Sequence, residues 1–108
     1  MNNKQKIEIL KNLIEQNTMR ETLYYDALGK IGGEKTNYYD YLTTSPIDCD
    51  KELKRVSDAD YELCSALLTM LLREDCKCQG TLEKRVRNGE VRMILNRMIE
   101  LLETNKEK

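Results

Sequence analysis

Apolar positions recur along most of this chain with the three-to-four-residue spacing of a helix, and strict alternation nowhere persists for more than a few residues. The clearest stretch is 90–103, where Val91, Ile94, Leu95, Met98, Leu101 and Leu102 form one stripe and predict an amphipathic helix. A second helix is predicted over 57–74, with a stripe of Tyr61, Cys64, Leu67, Leu68, Leu71 and Leu72, and with Ser57-Asp58-Ala59-Asp60 as its capping signature. Between them, Thr81 is placed to cap a short helix ending near Arg87, and Asn88-Gly89 sets a sharp corner before the last helix. Leu67, Leu68, Leu71, Ile94, Leu95 and Met98 are expected to bury against one another.

In the first half of the chain, Ile7, Leu10 and Ile14 mark a helix over 3–16. Thr18-Met19-Arg20-Glu21 matches a Thr-x-x-Glu capping box that would start another helix, stopping before Gly32-Gly33. Residues 32–56 hold that glycine pair, the single proline Pro46 and a tyrosine-rich stretch, which predicts a short helix near 36–43 followed by irregular chain. The expected architecture is all-α: a small single-domain helical bundle of about five helices over residues 1–104, with 105–108 as a polar tail.

Composition sharpens this picture. The 108 residues include no Phe and no Trp, so aliphatic side chains must build the core and the six tyrosines its aromatic part. Five of those six, Tyr24, Tyr25, Tyr38, Tyr39 and Tyr41, fall within eighteen residues. Neighbours on a helix point about 100° apart, so both members of Tyr24-Tyr25 or Tyr38-Tyr39 are not expected to be fully buried together.

Charge is balanced overall, 18 basic against 19 acidic side chains, which gives no global attraction to nucleic acid or anionic membrane. It is segmented, however: 21–50 carries two lysines against six acids, and 76–97 carries six basic side chains against two acids. Histidine is absent, which removes the usual general base and the commonest metal ligand. An enzyme would have to rely on tuned carboxylates, Tyr or Cys, and Glu62, Glu74, Asp75 and Glu90 read instead as helix-end caps or solvated groups. The N-terminus reads as an amphipathic start without a secretory signal, no apolar run approaches the ~20 residues of a membrane span, and four cysteines in that setting imply free thiols in a reducing compartment. A cytoplasmic protein without membrane association is expected. Cys76-Lys77-Cys78 places two thiols beside a cation that would favour thiolate, but the spacing departs from that of zinc pairs. Neither metal nor cofactor is expected, Cys64 is expected in the core, and Gly80 is expected to serve a backbone conformation.

Residues 73–80, Arg73-Glu74-Asp75-Cys76-Lys77-Cys78-Gln79-Gly80, follow a leucine-rich helix and precede Asn88-Gly89-Glu90-Val91 and a helix containing Asn96-Arg97-Met98. Over residues 38–102 this order resembles the C-terminal signature of the bacterial family DUF6508: a leucine-rich helix ending in an Arg-x-Glu/Asp-Arg-Phe-Cys-Glu/Asp-Gly turn, a short helix, a Gly, and an amphipathic Arg- and Leu-rich helix. Lys77 stands where the family carries Phe, and Gln79 where it carries an acid. The family is uncharacterised, so the resemblance implies an architecture and no activity.

Two function classes follow from the residues. The first is a non-enzymatic interaction module that binds another protein through residues 38–50. Tyr38, Tyr39 and Tyr41 would supply the contact area, while Asp40, Asp48 and Asp50 would steer a basic partner such as a nucleic-acid-binding protein. Small proteins of this size and style are specified by phages and mobile elements as inhibitors of host machinery, anti-CRISPR and other anti-defence proteins among them. The second is a nucleic-acid-associated protein using Lys84, Arg85, Arg87, Arg92 and Arg97 as a phosphate-binding surface. Homodimerisation stays open, since short helical chains often complete their cores that way, although no heptad run long enough for a coiled coil is present.

Overall fold

Nine consecutive residues of one helix, from Cys64 to Leu72, are buried, and the rest of the molecule is arranged around that stretch. The computed structural model of the chain describes residues 2–32 and 36–104; the expected polar tail at 105–108 and Gly33 of the glycine pair lie outside the described residues. In chain order the helices are α1 (Asn3–Gln16), α2 (Glu21–Ile31), α3 (Cys49–Leu53), α4 (Tyr61–Lys77), α5 (Thr81–Arg87) and α6 (Glu90–Thr104), with 3-10 turns at Tyr38–Tyr41 and Val56–Asp58. Among the described residues there is no strand, and the fold is all-α.

The central helix is α4. Packed against it are α6, α5, α3 and the Tyr38–Tyr41 turn, while α1 lies along α6 and also packs against α2. A helix enclosed on all sides needs apolar or small residues all round. That is why burial extends beyond the predicted stripe to Ser65, Ala66, Thr69 and Met70. Thr69 meets its own polar need inside the helix, its hydroxyl donating to the Ser65 carbonyl at 2.8 Å. Leu67, Leu68, Leu71, Ile94, Leu95 and Met98 are each no more than 1% exposed, as the stripes predict. The Cα radius of gyration, 12.9 Å, is that of a compact chain of this length, for which about 13 Å is expected. No helix among the described residues is long and apolar enough to cross a membrane.

The helix caps differ from the sequence expectations in instructive ways. The cap of α4 is Asp60, whose carboxylate accepts from the Leu63 N–H at 2.8 Å, and the expected cap Ser57 lies exposed in the preceding 3-10 turn. Helix α2 starts at Glu21 without a side-chain cap; Thr18 accepts from the Arg20 N–H instead, and its carbonyl accepts the hydroxyl of buried Tyr24 at 2.7 Å. Thr81 does not cap α5 either. Asp75, at the end of α4, accepts from the N–H groups of Gly80 and Leu82 at 3.0 and 3.1 Å, so one carboxylate both closes the corner and starts the next helix. Gly80 sits at φ 98°, which an L side chain rarely adopts. The short helix expected near 36–43 is the 3-10 turn Tyr38–Tyr41, and the chain read as irregular contains α3, capped by Asp48 accepting from the Lys51 N–H at 3.1 Å.

Two stability measurements check this packing. Leu95→Ala is expected to destabilise the fold by about 2 to 5 kcal/mol in urea denaturation, and a change under about 0.5 kcal/mol would remove Leu95 from the core. For Gly80→Ala the added Cβ meets no atom within 4 Å, so any cost is conformational: about 1 to 2 kcal/mol is expected, with no loss of helical circular dichroism at 25 °C.

Candidate functional site

Residues 38–50 leave α2 behind and return to the core at α3, and a buried carboxylate holds the middle of this segment in place. Glu52, on α3, is 0% exposed. Its Oε2 accepts from the N–H groups of Thr43 and Thr44 at 2.9 and 2.7 Å and from the Thr44 hydroxyl at 2.6 Å, while Oε1 accepts from Arg55 Nη1 at 2.8 Å. The same Arg55 nitrogen donates to the Tyr41 carbonyl at 2.9 Å, and the Thr44 hydroxyl accepts from the Asp48 N–H at 2.8 Å. Burial alone would raise the carboxyl's pKa, but the hydrogen bonds from Thr44, Arg55 and the Thr43 and Thr44 backbone hold it down at about 2. Composition gives no hint of this role, because a Glu in a short charged helix reads as solvated. The one available signal is the pair of threonines eight and nine residues upstream.

This clamp sorts the tyrosines. Tyr38 is half-buried, its ring packed against the core and meeting Tyr39 edge-on with centroids 5.6 Å apart. Tyr39 is 59% exposed, and Tyr41 is half-buried. As expected for helical neighbours, Tyr24 is fully buried while Tyr25 is only partly so. Ile47, which the sequence did not single out, is 40% exposed on the same segment. Of the three acids expected to steer a basic partner, Asp40 is exposed, Asp48 caps α3, and Asp50 accepts from Arg85 Nη1 at 2.6 Å. That hydrogen bond holds the Asp50 carboxyl below its usual range.

Asp50 and Arg85 came from rival candidate sites, and the fold joins them. Arg85 is only 12% exposed and is shared by three carboxylates: Glu74, which it grips through Nε and Nη2 at 3.0 and 2.9 Å, Asp50, and Glu90 at 3.2 Å. The expected basic surface is thereby divided. Arg87 pairs with Glu83 along α5, and Arg97 donates to the Ala59 carbonyl at 3.0 Å and pairs with Glu100. Lys84 and Arg92 are exposed and make no ion pair among the described residues. Of the acids weighed for chemistry, Glu74 and Glu90 hold Arg85, and Asp75 holds the α4–α5 corner.

The thiols are dispersed. Cys64 is core, and its pKa is pushed up to about 12 by burial. Cys49 is half-buried and is likewise pushed up to about 12, by burial first and then by the Glu74 charge, so both thiols stay protonated at neutral pH. Cys76 and Cys78 are exposed at the end of α4. Among the described residues, no three Cys, Asp or Glu side chains converge in a way that could hold a metal ion.

Acid should release the Glu52 clamp. A carboxyl with a pKa near 2 in the folded chain and 4.5 as its ordinary value contributes stability above pH 4.5, lost as pH falls toward 2; the shift corresponds to roughly 3 kcal/mol. Urea midpoints of the wild type and Glu52→Gln are therefore expected to differ at pH 7 and to converge as the pH drops below about 4. A constant difference across that range would show that ionised Glu52 is not what holds the loop.

No curated protein and no solved structure matches the chain. A family model does match, that of a family of unknown function, over residues 35–104. The matched region takes in the Tyr38–Tyr41 turn, the Glu52 clamp, α4 with its Asp75 corner, and the Arg85 cluster. It leaves out α1, which packs on α6, and α2, which packs on α1. The arrangement just described lies almost wholly within that shared region, and the chain belongs to the DUF6508 family.

Proposed function

We propose that the protein works as an interaction module that occupies a surface of another protein through the outer face of residues 38–50, with no chemical step of its own. The observation that carries this reading is Tyr39, 59% exposed on a turn whose last carbonyl, that of Tyr41, accepts from Arg55 and whose following residues, Thr43 and Thr44, are held by Glu52. Binding immobilises side chains and loops at a cost, and a ring on a loop that is already fixed has less freedom left to lose. Tyr rings combine large contact area with few rotors, which is why they are favoured as interface anchors. Exposed Pro46 and Ile47 extend the apolar area on the same segment. A small domain that blocks a component of host machinery is the biological setting attached to this proposal, in the manner of anti-defence inhibitors from phages and mobile elements.

Nucleic-acid association through α5 and α6 is the competing reading. Arg85, Arg87 and Arg97 are already engaged within the protein, which leaves Lys84 and Arg92 as its phosphate-binding candidates. Affinity capture from the native host, quantified by mass spectrometry, separates the two. Tyr39→Ala is expected to lower recovery of a stoichiometric partner protein about tenfold or more, the effect of a hot spot of ~2 kcal/mol, without lowering the melting temperature. Recovery that survives Tyr39→Ala but vanishes with nuclease, high salt or the Lys84→Glu, Arg92→Glu pair would replace this reading with nucleic-acid association.

A further inference from the structure

Between the Tyr38–Tyr41 turn and the C-terminal half of α4 lies a cleft of roughly 170 Å³. Its apolar walls are Tyr38, Ile47, Cys49 and Met70. The Cys49 thiol, protonated at neutral pH, adds no charge to them. An apolar cavity of about 150 Å³ accommodates a benzene ring, so this cleft suits one large side chain of the size of Leu or Phe.

Its rim has a definite sign. Arg73 and Lys77, one turn apart on α4, line the cleft, are exposed, and make no ion pair among the described residues. The acid between them, Glu74, also lines the cleft, but both its oxygens are taken by Arg85. Asp40, Asp48 and Asp50, the acids of the neighbouring segment, do not line it, and the last two are occupied by the α3 N-terminus and by Arg85. Two cations without an ion pair among the described residues therefore stand over an apolar floor.

We infer that this cleft receives one large apolar side chain of a partner polypeptide whose flanking residues are Asp or Glu, the carboxylates lying against Arg73 and Lys77. The inference rests on the interaction-module reading and specifies its partner: an acidic, hydrophobic-anchored segment, opposite in sign to the one that the acids of 38–50 suggest. Because the two cations are exposed, they contribute mainly to capture rate and to discrimination against basic segments, and their effect weakens with salt. The apolar side chain in the cleft supplies the holding contact.

Fluorescence anisotropy on the full chain tests this with three labelled heptapeptides: Gly-Asp-Glu-Phe-Glu-Asp-Gly, the same peptide with Lys at every acidic position, and the acidic peptide with Ala for Phe. The Phe-containing acidic peptide is expected to bind about tenfold or more tightly than either control at low salt, with its advantage over the lysine peptide shrinking at about 0.5 M salt. The Arg73→Glu, Lys77→Glu pair, both at exposed positions, should remove that preference and leave the melting temperature unchanged. Comparable binding of all three peptides, or no binding of the acidic peptide at about millimolar concentration, would overturn the inference. A concentration-dependent dimer in sedimentation that the charge-reversed pair dissolves would also overturn it, assigning the cleft to a second copy of the chain. Tyr39 lies outside the cleft. Intact peptide binding together with host capture unaffected by Tyr39→Ala would thus retain the cleft and discard the wider surface, and the converse pattern would do the reverse.

Discussion

A carboxylate with no contact with solvent must find its hydrogen bonds inside the protein, and in this molecule that requirement shapes the segment on which any binding function depends. Glu52 meets it by drawing in two backbone N–H groups, two hydroxyls and a guanidinium from positions within nine residues on either side. Residues 42–48 belong to no regular element, yet the N–H groups of Leu42, Thr43, Thr44 and Asp48 each find an acceptor within the protein. The loop is as specified as a helical turn, though nothing periodic runs through it. Leaving such a charge buried without its partners is far more costly than the small net gain of each hydrogen bond taken singly. The clamp is therefore cooperative, and the Tyr38–Tyr41 turn inherits its rigidity through the Arg55 bond to the Tyr41 carbonyl.

The same economy governs the segmented charge of the chain. An acidic stretch and a basic stretch suggest two opposed binding faces when they are read separately. Folding brings Asp50, Glu74 and Glu90 around one largely buried guanidinium, so much of the asymmetry is spent internally. What reaches the surface is the remainder, and its signs are not those of the segments it came from. Arg73 and Lys77, on a helix that the sequence reads chiefly through its leucines, become the exposed cations beside the tyrosine turn.

Long periodic elements were legible because their burial is dictated by spacing. Most of the core faces of α4 and α6 could be written down from spacing, since a stripe of Leu, Ile and Met has few alternatives to facing inward, although Ser65, Ala66, Thr69, Met70 and Ile99 are buried outside those stripes. Caps were less legible. Ser57 and Thr81 have the right chemistry, but Asp60 and Asp75 compete for the same orphan N–H groups, and a carboxylate at the positive end of a helix dipole prevails. The site was legible in its location, through the clustered tyrosines, and not in its mechanics. Glu52 and Arg55 act through contacts that no periodicity announces, Ile47 is a single aliphatic residue next to a proline, and the pairing of Asp50 with Arg85 spans 35 residues of sequence.

That last separation also sets an order of events. Each bond that Glu52 makes is to a residue close in sequence, so this part of the loop can close as soon as its own stretch of chain is available. The Asp50 anchor cannot form until α5 has been synthesised and has turned back at the Gly80 corner. On a ribosome adding residues from the N-terminus, the tyrosine turn would thus emerge and acquire its local shape while its tether to the far helix is still unmade. Nascent chains would display this segment in a looser form than the finished protein, and only completion of the C-terminal helices would bring it to its final stiffness.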